Sequence, residues 1–192
     1  LDSMIVGEQQ ILGQVRGSLR DAQEAGNAGR VLNDLGQTAL RIGKRVHSET
    51  GIDRHGASVV SVALDLAQDV TGALSDRTAL VVGAGAMSSL SLQTLASRGV
   101  SDITVASRTT ASTKRAADLS GATPIGMDEL PGALQKADVI VSATGANGVV
   151  ITAEDIATAM SGRPDRALVV VDLALPHDTE PEVGAIRSVT RI

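Results

Sequence analysis

Apolar residues recur at three- and four-residue spacing through the first fifty positions. Leu12, Val15, Leu19 and Ala22 form one series, and Leu32, Leu35, Ala39, Ile42 and Val46 form another, with Gly26 and Gly29 between them as breakers. Each series falls on one face of a helix, so the pattern predicts two amphipathic helices. A third series, Val59, Val62, Ala63, Leu66, Ala67 and Val70, follows the glycine-bounded turn region Gly51–Gly56. From Thr78 the pattern changes. Short apolar runs at Ala79–Val82, Ile103–Ala106, Val139–Ser142 and Leu168–Val171 read as strands, separated by helix-like stretches near 86–98, 109–120, 127–136 and 152–160. Strands alternating with helices build βαβ units, and runs without apolar–polar alternation belong to a parallel sheet buried on both faces. The division is expected at residues 51–56. Residues 1–56 are then a helical segment of one domain, and 57–192 an α/β domain entered through a helix that starts at Ala57.

Composition narrows the options. The chain has 192 residues, 43% of them hydrophobic, with mean hydropathy +0.14, enough to bury a core. Lys and Arg number 17 against 22 Asp and Glu, net −5. Residues 1–50 hold six of each sign, so the whole excess lies in the α/β part, which argues against a chain that wraps nucleic acid along its length. No cysteine is present, which excludes a disulfide scaffold, a thiolate zinc site and a cysteine nucleophile within these residues. Without Phe, Tyr or Trp there is no aromatic platform for stacking bases. No segment approaches the roughly 20 apolar residues that span a bilayer, and no signal-peptide pattern opens the chain. A cytoplasmic protein with no membrane partner is expected. His47, His55 and His177 are too scattered to suggest a metal site. Leu1 is no initiator, so a longer protein is expected.

Candidate chemistry lies at the ends of the strands. Gly83-Ala84-Gly85-Ala86-Met87-Ser88 follows a buried strand and opens a helix. The first glycine suits a tight turn, the second lets a pyrophosphate approach the backbone, and the helix N-terminus supplies N–H donors. Ser88 stands where the common G-x-G-x-x-G pattern has its third glycine. The fold class expected is therefore α/β, a Rossmann-like doubly wound and mainly parallel sheet. An NAD site places Asp or Glu about 20 residues on. Here the second strand ends in Ser107-Arg108-Thr109, with Lys114 and Arg115 close behind, which suits a 2′-phosphate and so NADPH. The third strand ends in Ala143-Thr144-Gly145, small residues where a nicotinamide ribose would pass. A plain glycine turn, a solvated cationic loop and an ordinary strand end are the respective alternatives. Asp172 and Pro176-His177-Asp178 sit at the same edge and read as structural. Arg41, Lys44 and Arg45 share one helix face, which is either solvated or set to meet phosphates.

The stretch Leu1-Asp2-Ser3-Met4-Ile5-Val6-Gly7-Glu8-Gln9-Gln10-Ile11-Leu12-Gly13-Gln14-Val15-Arg16 resembles the signature segment of glutamyl-tRNA reductases. Arg41-Ile42-Gly43-Lys44-Arg45-Val46, Ser58-Val59-Val60-Ser61, Gly83-Ala84-Gly85-Ala86-Met87 and Pro176–Pro181 resemble that family in the same order. The resemblance implies NADPH-dependent reduction of glutamyl-tRNA to glutamate-1-semialdehyde for tetrapyrrole synthesis. It implies Ser3, Glu8 and Gln10 as substrate-binding residues, and glutamyl-tRNA and a glutamate-1-semialdehyde aminomutase as partners. It also implies a homodimer formed through a C-terminal domain, and a nucleophilic cysteine and a histidine upstream of Leu1. A shikimate-dehydrogenase-like NADP oxidoreductase and a non-catalytic nucleotide-binding module are the competing readings.

Overall fold

The computed structural model describes residues 9–50, 59–163 and 165–192, except the side chains of Gln9, Gln10, His47 and Thr50. The chain divides into two compact units, Leu1–Val62 and Ala63–Ile192. Their division falls inside the helix Val59–Thr71, a few residues beyond the 51–56 region where the boundary is expected.

In the first unit α1 (Gln9–Glu24) and α2 (Arg30–Thr50) run antiparallel. Glycines, rather than the apolar stripe, make the seam. A methyl group on Gly36 would lie 2.8 Å from Leu19 Cδ2, and one on Gly43 would lie 2.3 Å from Leu12 Cδ2. Leu12 and Leu19 therefore seat directly against the α2 backbone. The stripe that the spacing suggests for α2 lies on another face: Leu32, Leu35, Ile42 and Val46 remain exposed, while Leu40 is buried. Periodicity found the helix correctly and its packed face wrongly, because a glycine seam carries no hydrophobic signal.

The second unit is a six-stranded, all-parallel sheet: β1 (Thr78–Val82), β2 (Asp102–Ala106), β3 (Thr123–Ile125), β4 (Val139–Ser142), β5 (Leu168–Asp172) and β6 (Val189–Arg191). The order is β3-β2-β1-β4-β5-β6. β1, β4 and β5 are buried almost throughout, as expected of strands covered on both faces. The connecting helices are α4 (Ala86–Ser97), α5 (Thr110–Ser120), α6 (Leu130–Lys136) and α7 (Ala153–Ser161), with α3 (Val59–Thr71) leading in. Val60, Ala63, Leu64 and Ala67 form the buried stripe of α3, whereas Leu66 and Val70, which the spacing also placed on the apolar face, are exposed. The start expected at Ala57 lies outside the described residues. One core cluster packs Leu80, Val82, Ile140 and Val170 against Leu134, Ile156 and Met160.

Register decides where a ligand can sit. Val82 pairs with Ala106 on one side and Ser142 on the other, and Ser142 pairs with Asp172. The carboxyl ends of β2, β1, β4 and β5 thus finish in one row. Chain order reverses between β1 and β4, which opens a crevice at that end of the sheet.

Candidate dinucleotide-binding site

The turn after β1 is committed to glycine at its first position. Gly83 has φ +119°, and a Cβ there would meet the Ala143 carbonyl oxygen at 2.3 Å and Ser88 Oγ at 2.7 Å. Gly83 N–H donates to the Ala106 carbonyl at 2.8 Å, which ties the turn to β2. Gly85 is different. It caps α4 with φ −85°, and a Cβ there would touch nothing within 4 Å. The turn therefore leaves open space over Gly85, at a helix start with no capping side chain, where the dipole favours an anion. Ser88 accounts for the missing third glycine. It is fully buried, and its hydroxyl donates to the Ala143 carbonyl at 3.1 Å, so it bonds α4 to the end of β4 instead of letting them approach more closely.

A cavity of about 500 Å³ occupies the crevice. Gly83, Ala84, Gly85, Ser107, Arg108, Thr109 and Thr144, all singled out in the sequence, line it together. Ala86 and Met87 form the first turn of α4 beside it, and Ala143 and Gly145 flank Thr144. Lys114 and Arg115 do not line it. They lie exposed on α5, more than a turn beyond the Thr109 cap, so Arg108 is the cation of this group that lines the cavity. The turn carrying Arg108 is braced by hydroxyls: Ser112 Oγ and Thr113 Oγ1 donate to the Thr109 carbonyl at 2.8 and 2.9 Å, and Ser107 Oγ lies 2.5 Å from Thr113 Oγ1. Neither Ser107, Arg108 nor Thr109 is acidic, and among the described residues no carboxylate lines the cavity to oppose a phosphate.

Sequence reasoning missed the rest of the lining: Ser112 on α5, Met127, and the wall made by Ala146, Gly148, Val149 and Val150. Asp178 positions much of it. This carboxylate is fully buried and accepts from Ser142 Oγ and Thr144 N–H, both at 2.8 Å, and from Thr144 Oγ1 at 2.5 Å. Its carbonyl accepts the N–H groups of Val150 at 2.7 Å and Ile151 at 3.0 Å. One residue thus holds both ends of the 144–150 wall. Asp172 holds Asp178 in turn, accepting its N–H at 3.2 Å along with the N–H and hydroxyl of Thr179. Burial alone would raise the Asp172 carboxyl, but the Thr179 hydroxyl and the N–H groups of Thr179, Ala174 and Asp178 outweigh it and hold the group below the ordinary carboxylate range. His177 is mostly exposed, 3.5 Å from Asp172. The structural reading of Asp172 and the 176–178 segment agrees with these contacts, though the pair also shapes the cavity.

Ser3, Glu8 and His55 lie outside the described residues, as do the side chains of Gln10 and His47. Among the described residues no cluster of His, Asp and Glu could hold a metal ion, and no helix is long and apolar enough to cross a membrane.

Residues 65–192 match the family model for shikimate / quinate 5-dehydrogenase, and residues 1–50 match that for the glutamyl-tRNAGlu reductase N-terminal domain. Among curated proteins, the glutamyl-tRNA reductases of Corynebacterium urealyticum and Kineococcus radiotolerans are 48% and 50% identical to the chain over 98% and 97% of its length. The chain belongs to the glutamyl-tRNA reductase family, its second unit being of the shikimate / quinate 5-dehydrogenase type. Among solved structures, the glutamyl-tRNA reductase from Methanopyrus kandleri is 37% identical with TM-score 0.67, covering 98% of this chain and 48% of that one. The nucleotide-binding domain of the Thermoplasma volcanium glutamyl-tRNA reductase shares the fold at 18% identity and TM-score 0.54, covering 70% of this chain and 86% of that one. The chain spans 41% and 42% of the length of the first two curated relatives. Within this reductase family, then, residues 63–192 form a dehydrogenase-type nucleotide-binding domain with its crevice between β1 and β4.

Proposed function

We propose that this chain is the NADPH-binding part, with an adjoining piece of the substrate-holding part, of an enzyme that reduces glutamyl-tRNA to glutamate-1-semialdehyde. The observation that carries the reading is the crevice, in which an open Gly85, the start of α4 and Arg108 share one cavity free of carboxylates. Gly85 and the first turn of α4 would take the pyrophosphate, Arg108 the 2′-phosphate, and the Thr144 wall the nicotinamide end. NADPH supplies the hydride when bound. The protein's own part is to hold that end against a rigid wall. Asp178 keeps Thr144 and Val150 in place, and the apolar groups of Met127, Val149 and Val150 keep water off one side.

The family resemblance supports Ser3, Glu8 and Gln10 as holders of the glutamyl group, with a cysteine thiolate outside these residues as the nucleophile. The chain holds no cysteine. A serine without an adjacent base is a poor substitute, so these 192 residues alone do not complete the reaction. On the same reading, an aminomutase that consumes glutamate-1-semialdehyde and a second copy of the enzyme, joined through a further domain, are the partners, and the enzyme works in the cytoplasm. The shikimate-dehydrogenase-like alternative has the match over 65–192 in its favour, but the match over 1–50 favours the reductase.

Calorimetric titration with NADPH and NADH tests the cofactor assignment. A charge-assisted bond from Arg108 to a 2′-phosphate contributes about 1.5–3 kcal/mol, so NADPH should bind roughly ten- to a hundred-fold more tightly. Arg108→Gln should bring the two affinities together. Gly85→Asp should abolish binding of both while the protein melts as wild type, since a side chain there meets no protein atom. Equal affinities in the wild-type chain would overturn the assignment.

A further inference from the structure

The first unit segregates its charges. Between α1 and α2 lies a groove of about 610 Å³ lined by Arg16, Arg41, Lys44 and Arg45 together with buried Leu40, and among the described residues no carboxylate lines it. Those four are among only six cations in residues 1–50. The other two are matched with acids: Arg20 with Asp21 at 3.3 Å and Glu24 at 3.9 Å, and Arg30 with Asp34 at 4.0 Å. Within the groove Arg45 pairs with Glu49 at 3.1 Å, whereas Arg16, Arg41 and Lys44 have no ion pair among the described residues. Like charges three and four apart on a helix destabilise it, and Arg41, Lys44 and Arg45 are so spaced. A solvated helix face interleaves acids with bases, as the Arg20 and Arg30 faces do. This one instead leaves a positive channel that an outside anion would balance.

We propose that this groove seats the sugar–phosphate backbone of tRNA. The identity of the polyanion rests on the reductase reading above; its class rests on the groove. Its lining runs from Gln37 to Ser48, about 16 Å along α2 at helical rise, which suits consecutive phosphates of a strand better than one small anion. The chain has no aromatic residue on which a base could stack, so the groove reads charge and spacing rather than sequence. Glutamyl-tRNA, the same tRNA uncharged and an unrelated tRNA should therefore show one common salt dependence here.

The experiment is filter binding of these three tRNAs to the chain between 50 and 200 mM NaCl. Wild type is compared with Arg16→Gln/Arg41→Gln/Lys44→Gln and with the control Arg20→Gln/Arg30→Gln. Removing three phosphate contacts should lower the slope of log affinity against log salt by about 2–3, at roughly 0.7–0.9 per contact. The triple variant should then lose roughly 20- to 40-fold less affinity than wild type across that range, and the control should keep the wild-type slope. Should the triple variant lose helicity, Lys44→Gln alone should remove about one third of the change, and Arg41→Lys, which keeps the charge, none. A wild-type slope in a folded triple variant overturns the groove and leaves the reductase reading standing. The same slope with a lowered melting temperature shows that the groove seats another part of the protein, and also overturns it. A wild-type chain that binds NADPH but no tRNA overturns the groove and leaves the reductase reading to its own test, the titration with NADPH and NADH.

Discussion

The two ends of the parallel sheet both bury carboxylates, and although Arg191 reaches Asp172 at 3.3 Å at the carboxyl end, Asp138 at one end and Asp178 at the other are satisfied with opposite chemistry. At the amino end Asp138, 3% exposed, is met by Arg166 through two bonds of 2.5 Å, by Arg163 at 3.3 Å and by the Thr78 N–H at 3.1 Å. Arg163 also donates to the carbonyls of Gln135, Ala137 and Ala167, so it laces the start of β4 to the approach to β5. At the carboxyl end Asp178 is met by hydroxyl and N–H groups alone. The first arrangement is a closed set of charges that serves cohesion. The second uses neutral donors belonging to the loops that wall the cavity, so whatever disturbs the carboxylate moves the wall. Mutations at the two ends should therefore separate stability from ligand affinity.

The largest effect should come from Asp138→Ala. It strands the Arg163 guanidinium, 8% exposed, without its counter-charge, and breaking a buried pair on one side costs about 3–5 kcal/mol. Thermal and urea melts should register the loss, while NADPH affinity in whatever remains folded stays at the wild-type value. A variant that melts normally would break the contrast at its strong end.

Asp178→Asn should act on both quantities. An amide nitrogen cannot accept from Ser142 or Thr144, so a buried donor loses its partner at a cost of about 1–3 kcal/mol. The Thr144 wall then loosens, and NADPH should bind several-fold more weakly by calorimetry. Unchanged affinity together with lowered stability would mean that the carboxyl end serves cohesion too.

Acid should strike both ends by one route. Burial raises the Asp138 carboxyl, but the hydrogen bond from Arg166, the Thr78 N–H and the charges of Arg166 and Arg163 bring it below its ordinary value, and Asp172 is lowered likewise. A carboxyl that is more acidic folded than unfolded stabilises the fold above its unfolded pKa. Stability should stay level from neutral pH to about pH 5, then fall as pH drops through about 3.9 and below. Acid melts of Asp138→Asn should show a shallower slope than wild type. This is the smallest of the three effects at the pH where the protein works.

The strands that build these ends differ in how openly the sequence announces them. β1, β2, β4 and β5 stand out as apolar runs because both faces of the sheet are covered. β3 and β6 are three-residue edge strands, one with Pro124 in its middle, and neither offers a run long enough to detect. Among the site residues, those on strand-to-helix turns were legible, since a glycine or a cation just after a strand lands at the crevice in any doubly wound sheet. Val149 and Val150 were not, because their position depends on Asp178, some thirty residues later, and no local pattern encodes that bond. Lys114 and Arg115 misled for a related reason: nearness in sequence to the turn says nothing of which way the helix then carries them.

The contrast between Gly83 and Gly85 separates what the architecture requires from what the ligand requires. Gly83 is imposed by a carbonyl and a hydroxyl of the protein itself, whether or not a nucleotide is ever bound. Gly85 is imposed only by what occupies the space above it. A descendant of this chain that gave up its cofactor and survived as a binding or scaffold module would be free to change Gly85 and obliged to keep Gly83. Reading those two positions in any relative thus separates an inherited fold from an inherited trade, and an engineer who removes the cofactor altogether has latitude at the second glycine and none at the first.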